Sequence, residues 1–285
     1  MKPGLALIAA AAVALGAGGG TAILTPFPPP TDALLDWVDF PADASPRPIL
    51  WLYPPPTNGY GTGENKLPAY CYSFAILSPL PASFPATGSV LWPDGTSATY
   101  PGISADRALD GLATARTFVE AGQCDSNPSL AISGARLGSF QFVTDRGKAF
   151  MTAWLFSAIG VDGELAYPAI AYSAFWTGGP LPNFTNNSVV VSADGRSLTE
   201  TFYGAPSDPG PCGADYNDVV AESQFAVAIA LQELSHSQSG QMAACPAVAQ
   251  QRSVVVALAQ PLGGRVVVDA SGNVLVVCPA TKPDC

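Results

Sequence analysis

Six cysteines, Cys71, Cys124, Cys212, Cys245, Cys278 and Cys285, are spread along a chain of 285 residues. In an oxidising compartment an even set of cysteines cross-links the fold and fixes which segments lie together. Joining neighbours in sequence gives Cys71–Cys124, Cys212–Cys245 and Cys278–Cys285, one of the many pairings six cysteines admit. Metal ligation is a poor alternative: there is no Cys-x-x-Cys, and the single histidine, His236, stands far from any cysteine pair. No metal and no cofactor are expected.

The N-terminus sets the compartment. Lys2 precedes an apolar run from Gly4 to Leu15, followed by small residues from Gly16 to Ala22. This is the pattern of a secretory signal over residues 1–22, with cleavage after Ala22. Left uncut, the uncharged stretch would tether the chain to a membrane. A secreted or extracytoplasmic location is therefore expected, with membrane contact only through that segment. Lys and Arg number 12 against 22 Asp and Glu, a net charge of −10. Without clustered positive charge the chain has no means of gripping nucleic acid. Hydrophobic residues make up 48%, ample for a core.

Residues 23–68 are rich in proline, with clusters at Pro28-Pro29-Pro30 and Pro54-Pro55-Pro56. Proline fixes φ and removes a donor, so this stretch reads as an extended linker. One short helix is expected within it, over Asp32 to Val38. The remainder, 69–285, reads as one disulfide-braced domain whose two halves divide near 180. Each half opens on β-like runs around an Asp-Gly turn, Asp94-Gly95 and Asp194-Gly195. Helices are expected over 107–120 and 219–235, the second apolar nearly all round, with a further turn over 246–250. Strands follow each helix, among them the β-branched runs Val254-Val255-Val256 and Val266-Val267-Val268. The expected class is α+β, mainly antiparallel sheet with two principal helices.

Two segments carry a family likeness. One is Thr144-Asp145-Arg146-Gly147 with Ala153-Trp154; the other is Arg252-Ser253-Val254 with Pro261-Leu262-Gly263-Gly264-Arg265 and Val266-Val267-Val268-Asp269. Together they resemble uncharacterised secreted or surface-anchored proteins of actinobacteria. The resemblance implies export and a shared fold. It carries over no activity and no catalytic residue.

Candidate chemistry is sparse. His236 reads either as a general base oriented by Asp215 or Asp218, or, preferably, as a helix-end residue. No Gly-x-Ser-x-Gly elbow accompanies it. Carboxyls available for acid–base work are Glu120, Asp125, Asp145, Glu164, Glu200, Asp215, Asp218, Glu222 and Glu233. Asp215, Asn217 and Asp218 are the best oxygen cluster for a cation, with a helix cap the preferred reading. Trp51, Tyr53, Tyr60 and Trp92 are aromatics that, if exposed, would stack on sugar rings or grip a partner. The reading that follows is an exported cell-envelope or extracellular protein, non-catalytic, binding a protein or envelope polymer. The alternatives are a hydrolase of an envelope glycan using paired carboxylates, and a structural module of a larger surface assembly.

Overall fold

The computed structural model describes residues 29–52, 73–114, 129–161, 163–178, 188–237 and 245–285. The signal segment 1–22, Tyr53, Tyr60 and the Cys71–Cys124 pair lie outside the described residues. The chain forms two compact units: unit 1 combines the N-terminal segment up to Arg47 with Thr177–Cys285, and unit 2 is Pro48–Trp176. The class is α+β with antiparallel pairing dominant. Among the described residues no helix is long and apolar enough to cross a membrane.

Unit 2 is built on one sheet. Its strands are β1 (Ser73–Ile76), β2 (Thr87–Leu91), β3 (Ser97–Pro101), β4 (Ser129–Thr144), β5 (Gly147–Ala158) and β6 (Glu164–Pro168). They run in the order β1-β4-β5-β2-β3, with β6 also pairing β5. The turn between β2 and β3 is the expected Asp94-Gly95, with Gly95 at φ +84°. Helix α1 (Ala105–Thr114) lays Ala105, Ala108, Leu109 and Leu112 against Ile132, Trp154, Phe156 and Leu165. The remainder of the helix expected up to 120 lies outside the described residues. The opposite face of the sheet buries Val90, Phe142, Ala149, Met151 and Leu155 under Ile49, Trp92, Tyr100 and Ala174.

Unit 1 is a sandwich of two sheets. Its strands are β7 (Ser188–Val191), β8 (Ser197–Gly204), β9 (Ala214–Glu222), β10 (Ala226–Ser235), β11 (Gln250–Ala257), β12 (Val266–Asp269) and β13 (Val276–Pro279). One sheet runs β12-β10-β9 and the other β11-β8-β7-β13. Val220, Val227, Ile229 and Val267 of the first share a core with Val189, Leu198 and Val256 of the second. The Asp194-Gly195 turn joins β7 to β8, with Gly195 at φ +71°. Two of the expected disulfides are formed here, Cys212–Cys245 and Cys278–Cys285.

Three segments depart from expectation. Residues 219–235 are the hairpin β9–β10 rather than a helix. A run that is apolar all round also suits a strand covered on both faces, and Ala226, Val227 and Ala228 are each 0% exposed. The chain reverses at Ser223, whose hydroxyl accepts the amides of Phe225 (3.2 Å) and Ala226 (3.0 Å). Residues 246–249 are irregular before β11 begins at Gln250. Finally, residues 29–52, within the stretch expected to be a linker, are packed. A 3-10 helix spans Asp32–Trp37. Leu34, Trp37 and Phe40 are buried in unit 1, and Ile49, Leu50 and Leu52 in unit 2. The prolines shape this segment, but the large apolar groups between them decide its fate.

Candidate functional site

Of the four expected binding aromatics, Trp51 and Trp92 are described, and both serve the core of unit 2. Trp51 is half-buried and meets Phe142, Tyr167 and Phe175 at ring-centroid distances of 5.7, 5.4 and 5.6 Å. Trp92 is 6% exposed. The Arg146 guanidinium covers its ring at 4.2 Å and donates to Asp94 at 2.9 Å and Thr96 at 2.7 Å. Burial pushes the Asp94 carboxyl up, but hydrogen bonds from Thr96 and the charge of Arg146 outweigh it and hold the group below its ordinary range. Arg146 belongs to the first resemblance segment, and here it fastens the β2–β3 turn to the β4–β5 turn.

The accessible surface of unit 2 lies elsewhere. Helix α1 covers only one end of its side of the sheet. On that same side, strand register aligns Gln141, Phe150, Leu91 and Ser97 in one row across β4, β5, β2 and β3. The adjoining row is Ser139, Thr152, Ser89 and Thr99. Thr152 ties the row at its middle: its hydroxyl accepts the Ser89 amide at 2.9 Å and lies 3.0 Å from the Ser89 hydroxyl. Phe150 is 50% exposed, Leu91 48%, and Leu137 beside them 41%. Four strands at sheet spacing make each row about 15 Å across. Both rows are uncharged, with Lys148 at their border. Two rows of hydroxyls and apolar groups across four paired strands form a neutral, amphipathic platform.

The two sheets of unit 1 bring two carboxyls together. Alternation places Leu198, Glu200 and Phe202 of β8 on the inward face, and Tyr216, Asp218 and Val220 of β9 on theirs. Phe202 meets Tyr216 with ring centroids 4.8 Å apart, while Leu198 and Val220 share the core. Glu200 and Asp218 form the rung between. Glu200 is 7% exposed. Both Asp218 carboxyl oxygens are buried without a hydrogen bond. Burial, with the charges of Asp218 and Asp269, pushes Glu200 up to about 7. Burial alone pushes Asp218 up to about 6. Both were candidates among nine scattered carboxyls. The signal that pairs them is an acid at a core-facing position in each of two alternating strands, Leu-x-Glu-x-Phe and Tyr-x-Asp-x-Val, which a helical reading of 219–235 obscures.

The remaining candidates are dispersed. His236 follows the end of β10 rather than a helix. One ring nitrogen lies 2.8 Å from the Asp208 carbonyl and the other 3.0 Å from the Asp215 carboxylate. The Asp215 hydrogen bond and the Asp208 carbonyl push its pKa up. With both nitrogens engaged, the ring has none to offer a nucleophile. Strand alternation turns Asp215 and Asn217 to one face of β9 and Asp218 to the other, which splits the expected oxygen cluster. Among the described residues no three His, Cys, Asp or Glu side chains converge to hold a metal. Glu222 is paired with Arg265, Glu164 with Arg136, and Glu233 with the Tyr216 hydroxyl. Glu120 and Asp125 lie outside the described residues. No family model, curated protein or solved structure matches this chain.

Proposed function

We propose that this is an exported protein of the cell envelope or extracellular space that binds, without catalysis, a protein or an uncharged envelope polymer. The observation that carries the reading is the platform of unit 2. Its hydroxyl row both donates and accepts hydrogen bonds, and Phe150, Leu91 and Leu137 supply apolar contact beside it. Two disulfides agree with life outside the cytoplasm. Glycan hydrolysis by paired carboxylates is less well supported, because the carboxyl pair that converges among the described residues has the Asp218 oxygens closed to solvent. Service as a module of a larger surface assembly would use the same platform.

The test is sedimentation of the purified protein with isolated envelope polymer. Leu91→Ala combined with Phe150→Ala is expected to weaken retention by about tenfold or more, as loss of two central apolar contacts does. Both residues are exposed, so the circular dichroism spectrum should not change. Unaltered retention would overturn the platform. Turnover of an envelope glycan that Glu200→Gln abolishes would overturn the non-catalytic reading.

A further inference from the structure

The Glu200–Asp218 rung is a buried acidic pair with no counter-cation among the described residues. Across β8, Glu200 is flanked by Val189 of β7 and Val254 of β11. Across from Asp218 on β10 stands Leu231. From β12, Asp269 faces the pair, its carboxylate held by the Ser271 and Asn273 amides and the Asn273 side chain. From β11, Arg252 occupies the next rung, but its guanidinium lies 5.1 Å over the Tyr216 ring and donates to the carbonyls of Ala205 and Ala214. From β10, Glu233 accepts the Tyr216 hydroxyl. Glu200 is more than nine-tenths buried, and among the described residues nothing donates to either Asp218 oxygen.

We propose that the rung is a proton-binding latch: Glu200 and Asp218 hold the two sheets of unit 1 together as neutral acids, and their ionisation loosens β8 from β9. A neutral carboxyl places no charge between the sheets. Two carboxylates there repel, with Glu200 only 7% exposed and both Asp218 oxygens buried. Glu200 at about 7 and Asp218 at about 6 both stand above their ordinary values. The folded state therefore holds protons that the unfolded chain releases. The stabilisation is complete below about pH 4, and is lost as pH rises through 6 and 7. Unit 1 is thus tightest in mild acid.

The experiment is hydrogen–deuterium exchange of the full chain between pH 5 and 8, corrected for intrinsic rates, reading the 197–204 and 214–222 segments. Exchange there should accelerate severalfold by pH 8, while 87–101 in unit 2 stays level. In Glu200→Gln with Asp218→Asn, which keep shape but cannot ionise, the pH dependence should vanish. The His236–Asp215 ion pair also weakens as pH rises, so His236→Asn is the control and should keep the acceleration. Equal acceleration in the amide variant, or none in the wild type, would overturn the latch. Should the amide variant not fold, a carbon-13 carboxyl titration of the wild type decides. Two carboxyls titrating between pH 5 and 8 support it, and none above pH 5 refutes it.

Discussion

Arginine side chains do much of the fastening at the scale of single residues. Arg265 and Glu222 are paired at 2.8 Å with only 8% of each side chain exposed. The guanidinium also donates to the carbonyls of Gln260, Pro261 and Leu262, and the carboxylate accepts the Ala259 amide. A buried pair satisfied this fully is costly to break, since either partner alone is an uncompensated charge. Arg265→Ala should therefore destabilise unit 1 by about 3–5 kcal/mol in denaturant unfolding. Arg136, paired with Glu164 but 62% exposed, should cost under about 1 kcal/mol when replaced by Ala. Gly264 belongs to the same fastening. A Cβ there would meet the Ala42 carbonyl oxygen at 2.0 Å, and its own carbonyl accepts Arg47 at 2.6 Å. The Gly263-Gly264-Arg265 run was visible as a motif in the sequence. Its role was not, because Glu222 and Arg47 come from distant segments.

Elements were legible wherever one local signal decided them. The Asp94-Gly95 and Asp194-Gly195 turns formed as read, because only a residue tolerant of positive φ suits those corners. The face of α1 was likewise set by its spacing, with Ala108 and Leu112 both buried. The β9–β10 hairpin reads as a helix in the sequence because a strand buried on both faces has no polar side, and its period is then invisible. Its β-branched content, Val219, Val220, Val227 and Ile229, was the better guide. The burial makes a firm prediction. Ala228 is 0% exposed at the centre of the β12-β10-β9 sheet. Ala228→Leu should overfill that space and cost about 1–3 kcal/mol, checked by the shift of the urea midpoint. The platform of unit 2 was not legible at all. Its rows exist only once the β2–β3 hairpin pairs with β5, a contact between distant segments that no local pattern specifies.

At the scale of the whole molecule, unit 2 is an insertion in unit 1, whose chain is left at Arg47 and resumed at Thr177. The sequence suggested a division near 180 but treated 23–68 as a linker, because proline content hid the apolar residues that commit each part to a core. The Cys212–Cys245 bridge lies within unit 1 and closes a loop of sequence separation 33. Replacing both cysteines with Ala should cost about 3 kcal/mol, with the loss confined to unit 1. Thermal unfolding with and without the substitution checks this, and an unchanged midpoint for unit 1 would contradict it.

The junction of unit 2 has one more consequence. Ile49, just after its beginning, accepts the amide of Trp176 at its end, at 2.9 Å, and forms a bridge with Phe175. The two strands through which unit 2 is connected are stitched side by side. Tension applied between the two ends of the chain is therefore borne first within unit 1, where the 29–47 segment is held against the sandwich. Unit 2 stays slack until that segment peels away. A platform mounted this way keeps its shape under mechanical load.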